Sequence, residues 1–219
     1  MFELPKGIHK KHRFVRLNTA FHSDLLWWVT FLESWNGVAM LEVPLEHSIS
    51  QHVYSDASGV YGCGAWWQSR WFQFQWPHNF IQQPIATKEL LPIVLACLVW
   101  GKLWRNQGIL VHSDNEAVVA VINSGYSKDS SLMQLLRCLF FIKAYFEISL
   151  SAIHIKGEDN VGADAISRNN LHVSFAQVPQ ADPYPTPIPK SALDLLVLQQ
   201  PDWLSPNWSQ LFKNCLWQA

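Results

Sequence analysis

The pattern of apolar and polar positions divides this chain into strand-like and helix-like runs. Residues 52–56, 61–68 and 71–76 carry strand signals, with Ser58-Gly59 and Ser69-Arg70 at the turns between them. That arrangement predicts an antiparallel meander. A helix is favoured from Thr87 to about Gln107, with Thr87 as its cap, Glu89 in its positive first turn and Gly108 as its stop. On this reading Pro92 is tolerated because it lies within the first turn or so. The short apolar run 109–113 predicts a buried parallel strand. Helical runs follow at 116–123 and 130–146, then a strand at 148–155 and a short helix at 161–168. The order βββαβααβα implies an α/β fold built on a mixed sheet.

The flanks differ in character. Ser23-Asp24 caps a predicted helix over 25–35 that Asn36-Gly37 ends, with Leu25, Trp28, Phe31, Leu32 and Trp35 as an apolar stripe for core packing. Five prolines between 178 and 189 predict an extended linker. A short helical piece at 191–199 follows, and the tail from Pro201 to Phe212 reads as the start of another segment.

Composition narrows the class. A chain of 219 residues, 49% hydrophobic and 15% charged, suits one substantial packed domain with flanking pieces and argues against wholesale disorder. Twelve tryptophans imply extensive aromatic packing, and Trp66, Trp67, Trp71 and Trp76 are too dense in the meander all to be core, with at most one or two left for a partner surface and the rest structural. The net charge of −1 does not advertise a polyanion binder, although the basic run 6–13 is either a solvated tail or a phosphate contact. Cys63, Cys97, Cys138 and Cys215 form no CxxC pair, and Cys97 and Cys138 lie in apolar helical runs as small buried hydrophobes. With no signal peptide and no charge-free membrane-length segment, the expectation is a soluble intracellular protein, cytoplasmic or nuclear.

Four acids carry the chemistry. Asp56 and Asp114 end the first and fourth strands, Glu89 sits near the start of the long helix and Asp164 near the start of the last short one. Alternation puts His52, Tyr54 and Asp56 on one side, and Leu110, His112 and Asp114 likewise. If those strands are parallel neighbours, the two aspartates meet at the carboxyl ends, where ligands of open α/β sheets gather. Glu89, Ile93, Ala96 and Trp100 share a helix face turned to the sheet, and Ala163 and Ala165 let the Asp164 helix approach closely. Four grouped carboxylates without a cation would force one to take up a proton. Magnesium, a hard cation that prefers oxygen ligands, removes that cost, and such sites serve phosphate chemistry.

At these residues the chain resembles the ribonuclease H family, particularly the versions fused to retroelement reverse transcriptases. Tyr54-Ser-Asp56-Ala-Ser-Gly59 with Tyr61-Gly-Cys-Gly-Ala-Trp66 is similar to that family's opening strand pair. Thr87-Lys-Glu89-Leu-Leu-Pro-Ile93 resembles its first helix, His112-Ser-Asp114-Asn115 its fourth strand and turn, and the run from Gly157 to Arg168 its last helix. The match spans roughly 49–170. The flanking Arg16-Leu-Asn18, the segment from Ser23 to Gly37 and Pro201-Asp-Trp-Leu-Ser-Pro-Asn-Trp208 resemble DIRS-type retrotransposons. Neither a polymerase Tyr-x-Asp-Asp signature nor a recombinase Arg…His…Tyr set is present.

The resemblance implies a ribonuclease H-like five-stranded mixed sheet, three strands antiparallel and two parallel, flanked by helices. It implies these parts: 1–47 a post-polymerase connection, 48–170 the ribonuclease H-like domain, 171–190 a Pro-rich linker and 191–219 a pre-recombinase segment. The implied activity is endonucleolytic cleavage of the RNA strand of RNA–DNA hybrids, with polymerase and recombinase parts of the same polyprotein as partners. Two magnesium ions, or manganese in substitution, would lie roughly 4 Å apart. Asp56 would bridge both, Glu89 and Asp114 would serve the leaving-group side, and Asp164 the attacking water. Ser58, Gly59 and Asn115 are candidates for hybrid contacts, which rest on backbone shape and RNA 2′-hydroxyls. Lys156-Gly157-Glu158-Asp159-Asn160 is shorter than the mobile loop of cellular members and lacks its histidine, which implies slow turnover; His154, in the strand before it, is either catalytic or a packing residue. The rival reading is a catalytically inert remnant that holds nucleic acid or protein.

Overall fold

The computed structural model describes residues 49–189, with 16–17, 21–22, 25, 28–29 and 32 from the N-terminal part. The basic run 6–13, the expected cap at Ser23-Asp24, the stop at Asn36-Gly37, Cys215 and everything beyond 189 lie outside these residues. Positions 25, 28, 29 and 32 are helical, as expected, but so are Phe21 and His22, which precede the expected start of that helix. Trp28 meets Phe140 edge-to-face at 6.1 Å, whereas Leu25 and Leu32 are exposed rather than packed.

Strand β1 (Ile49–Ala57) lies at the sheet's centre. It pairs antiparallel with β2 (Gly62–Trp67), which pairs antiparallel with β3 (Arg70–Gln75). On its other side β1 runs parallel to β4 (Gly108–Ser113), and β4 runs parallel to β5 (Ser149–His154). The order β3-β2-β1-β4-β5 is the expected mixed five-stranded sheet, three strands antiparallel and two parallel, flanked by helices. Helix α1 (Ile85–Trp100) packs on β1 and β2, α3 (Ser130–Phe146) packs on α1, and α2 (Glu116–Ser124) lies against β5 and α1. The short helix α4 (Val161–Ser167) lies against β1 and β2, and α5 (Leu171–Gln177) packs on α4.

The parallel crossovers require a chain that buries apolar strands on both sides. Val53, Ala65, Phe72, Ile109 and Val111 supply the α1 side of the sheet, and all are at most 1% exposed. Trp67, Trp100 and Trp104 pack as a cluster, with ring centroids 5.4–5.8 Å apart, in the offset and edge arrangements that ring quadrupoles favour. Trp67, Trp71 and Trp76 are buried and Trp66 is half-buried, so three of the meander's four tryptophans are core and one is not, in line with the expectation. The indole N–H groups of the buried three donate to Gln51 Oε1, the Asp182 carbonyl and the Ser58 carbonyl. Cys97 and Cys138 are buried, as expected of small hydrophobes, and Cys63 is buried as well.

Helix α1 departs from its expected limits. It begins at Ile85 with Pro84 at the cap position and no capping side chain, so Thr87 is not the cap and its hydroxyl is buried without a partner. It ends at Trp100, and Gly108 opens β4 instead of stopping a helix. Pro92 is therefore well inside the helix, where it removes a hydrogen bond to the preceding turn. Burial of nearly every side chain from Thr87 to Leu98 outweighs these local costs.

The stretch expected as a linker after Asn170 is in part structured. Helix α5 sets Phe175 edge-to-face on Trp71 at 5.4 Å. Beyond it, Asp182 and Thr186 donate backbone N–H bonds to the Ser69 and Trp71 carbonyls, which ties the proline-rich chain to the outer edge of β3. Prolines suit this position because an edge strand needs only some of its ladder donors filled.

Candidate metal centre

Tyr54 lies opposite His112 in the parallel register, so Asp56 and Asp114 emerge side by side where β1 and β4 end. Glu89 descends on them from α1. Oxygens of Asp56, Glu89 and Asp114 all lie within 4.8 Å of one another. Asp56 and Glu89 are 3% and 5% exposed, and Asp114 is the most open of the three. Glu89 is the fifth residue of α1, beyond its first turn, so its placement comes from packing and not from the helix's positive end.

Asp164 stands beside this group and outside it. It lies in the first turn of α4, as expected, but its Oδ1 accepts a 2.6 Å hydrogen bond from Arg168 Nε one turn on. Helix α4 comes close to the sheet because its small residues permit it: Ala163 and Ala165 are buried, and Gly64 of β2 faces Ile166. A Cβ on Gly64 would sit 2.1 Å from Ile166 Cγ2, and one on Gly162 would sit 3.2 Å from Trp66 Nε1. Asn160 fastens the start of α4 by donating from Nδ2 to the Ser55 carbonyl at 3.0 Å. Gln73 Nε2 donates to the Ile166 carbonyl near its end.

The electrostatics follow from this crowding. Burial pushes the Asp56 carboxyl up to about 6, opposed by the Ser167 hydroxyl and helped by the charges of Asp114 and Asp164. Burial also pushes Glu89 up to about 9, with Asp56 and Asp114 adding to it and a hydrogen bond from the Ala57 backbone opposing it. Cys63, wholly buried nearby, has its thiol pushed well above its ordinary value by burial, then by Glu89 and Asp56. Glu89 Oε2 is buried and has no hydrogen-bond partner. An orphaned carboxylate oxygen facing two more carboxylates fits a hard divalent cation, which would satisfy the oxygen and reverse the sign of the local field.

The other expected contacts have structural work. Ser58 is buried, and its Oγ accepts from the Tyr61 and Gly62 N–H groups while donating to the Gly62 carbonyl, so it locks the β1–β2 turn. Gly59 is exposed with open space around it, and its carbonyl accepts from Lys88 Nζ at 2.5 Å. Asn115 Oδ1 caps α2 by accepting from Ala117 and Val118, which leaves its amide nitrogen for other partners. His154 Nε2 lies 3.1 Å from the Asp114 carbonyl and steadies the chain leaving β4.

Three contributors carried no role in the sequence reading. Ser167 is fully buried and donates from Oγ to Asp56 Oδ2 at 2.5 Å. Arg168 pairs Asp164. Asn160 sets the height of α4. Spacing was the available signal for the first two, because residues three and four beyond Asp164 share its helix face. A fourth feature is an aromatic stack across three strands, with Tyr54 stacked on Trp66 at 4.6 Å and on His112 at 4.2 Å. His112 Nε2 lies 2.9 Å from His52 Nδ1, and burial, then His52, lowers the His112 pKa to about 4.

Comparison with solved structures finds similarity to ribonuclease H1 enzymes. The chain is similar to RNase H1 from the halophilic archaeon Halobacterium salinarum NRC-1, with 16% identity, 56% of this chain and 97% of that one covered, and a TM-score of 0.43. It is also similar to LC11-RNase H1 in complex with an RNA/DNA hybrid, at 18% identity over 55% of this chain and 95% of that one, with a TM-score of 0.45. A structure of LC11-RNase H1 isolated from compost gives 17% identity, 57% and 98% coverage, and a TM-score of 0.41. No protein-family model and no curated protein matches the sequence.

Proposed function

We propose that this domain is a divalent-metal-dependent endonuclease that cleaves the RNA strand of RNA–DNA hybrids, as part of a retroelement reverse-transcription polyprotein of DIRS type. The observation that carries the catalytic reading is the meeting of Asp56, Glu89 and Asp114 within 4.8 Å, with a buried, unpartnered Glu89 oxygen among them. The retroelement context is supported by the motifs quoted from the sequence.

Asp56, Glu89 and Asp114 would hold magnesium, with Asp164 at the edge of the same site. When bound, the metal supplies an activated water and stabilises the leaving oxygen of a phosphodiester. The chain's own residues do the rest. Ser167 fixes one oxygen of Asp56, so the carboxylate presents the other to the site. The Ala57 backbone orients Glu89, and His154 holds the Asp114 backbone. Lys88 clamps the β1–β2 turn beside the site through the Gly59 and Ile81 carbonyls.

The test is cleavage of a labelled RNA–DNA hybrid by the full chain in magnesium. Wild-type protein is expected to cut the RNA strand, and Asp114→Asn to lose more than roughly 100-fold, beyond the usual loss for an outer-shell residue. Hybrid binding without cleavage, under magnesium or manganese, would replace this reading with the inert binding remnant.

A further inference from the structure

We infer that Arg168 is a resident counter-cation of the site, which holds Asp164 off the other carboxylates and gives way when a divalent ion enters. The inference rests on the metal-site reading above and assigns Arg168 a role toward that ion.

Backbone geometry leaves the Asp164 side chain as the movable part. Its N–H donates to the Asn160 carbonyl, and its own carbonyl accepts from the Arg168 N–H. The helix is thus pinned on both sides of Asp164, while its carboxylate reaches outward to Arg168 at 2.6 Å. Asp164 still adds to the negative field at Asp56 and Glu89, yet it is not among the three acids whose oxygens lie within 4.8 Å of one another. Rotating its side chain from Arg168 toward that group is the change a further ligand requires.

The guanidinium feels the same field. Asp164, then Asp56 and Asp114, hold its positive charge in place. A guanidinium and a divalent ion competing for these carboxylates repel each other, so each weakens the other's binding. The pair is also open, with 62% and 42% of the two side chains exposed. Exposed pairs are weak because water screens them and long side chains lose freedom on pairing. That weakness suits a placeholder, since a buried pair at this position would lock Asp164 permanently.

Isothermal titration of manganese into the metal-free full chain at low salt tests this without any substrate. Arg168→Gln is expected to bind manganese about two- to fivefold more tightly than wild type, the range that exposed ion pairs allow. Arg168→Lys, which keeps the charge, should stay near wild type, and Asp164→Asn should bind more weakly. A substitution that merely loosened α4 would lower affinity, so a gain separates the two roles. Manganese binding by wild type that is unchanged or weaker in Arg168→Gln overturns the inference alone. No manganese binding by wild type overturns the metal-site reading, and the inference with it.

Discussion

Replacing Glu89 by Gln should stabilise the metal-free protein at neutral pH, although Glu89 is an expected metal ligand. The carboxyl's ordinary value of 4.5 is raised to about 9, first by burial and then by Asp56 and Asp114. Between those two values the folded protein holds a proton that the unfolded chain has released. Stability therefore falls as pH rises through that window. From 4.5 to pH 7, at about 1.4 kcal/mol per unit, the cost is about 3 kcal/mol, and a glutamine, close in shape to the protonated acid, avoids it. At pH 5 the same arithmetic leaves under about 1 kcal/mol. Urea unfolding in a chelator at pH 5, 7 and 8 reads this directly: the Glu89→Gln midpoint should pull ahead of wild type as pH rises, at unchanged slope. Saturating magnesium should then narrow the gap, since a ligand at 100 times its Kd adds about 2.7 kcal/mol to a protein that binds it. A gap that is absent at pH 8, or equal at pH 5 and pH 8, would refute the account of Glu89 as a buried acid strained by its neighbours.

Two further predictions concern the parts that shape the site. Gly64→Ala places a methyl group 2.1 Å from Ile166 Cγ2 and 3.0 Å from the Phe72 carbonyl, so α4 must move off the sheet. The expected cost is about 1–3 kcal/mol in a thermal or urea melt, with weaker manganese binding; wild-type values for both would show that α4 need not sit so close. Ending the chain at Asn170 removes Phe175 from Trp71 and the edge bonds of Asp182 and Thr186. A loss of roughly 2–4 kcal/mol and a red-shifted tryptophan emission are expected, and an unchanged melt would return this segment to the status of a linker.

Much of the frame was legible in the chain itself. The limits of α3 and the strand alternation that sets Asp56 and Asp114 on one side are written in a few neighbouring residues, because backbone preference and side-chain direction act locally. The order of apolar runs likewise implied a mixed sheet with a buried parallel strand at 109–113. Other features depended on distances between residues far apart in sequence. Helix α1 starts and ends where its burial against the sheet dictates, against the signals of Thr87, Pro92 and Gly108. The proline-rich stretch looks like a free linker until β3 offers it an edge. The sequence placed four carboxylates at the ends of elements; the packing of α1 and α4 brings Glu89 into the group and leaves Asp164 with Arg168. Local rules fix which way a side chain leaves its own element, while only the packed sheet and helices fix how far it then stands from the next charge.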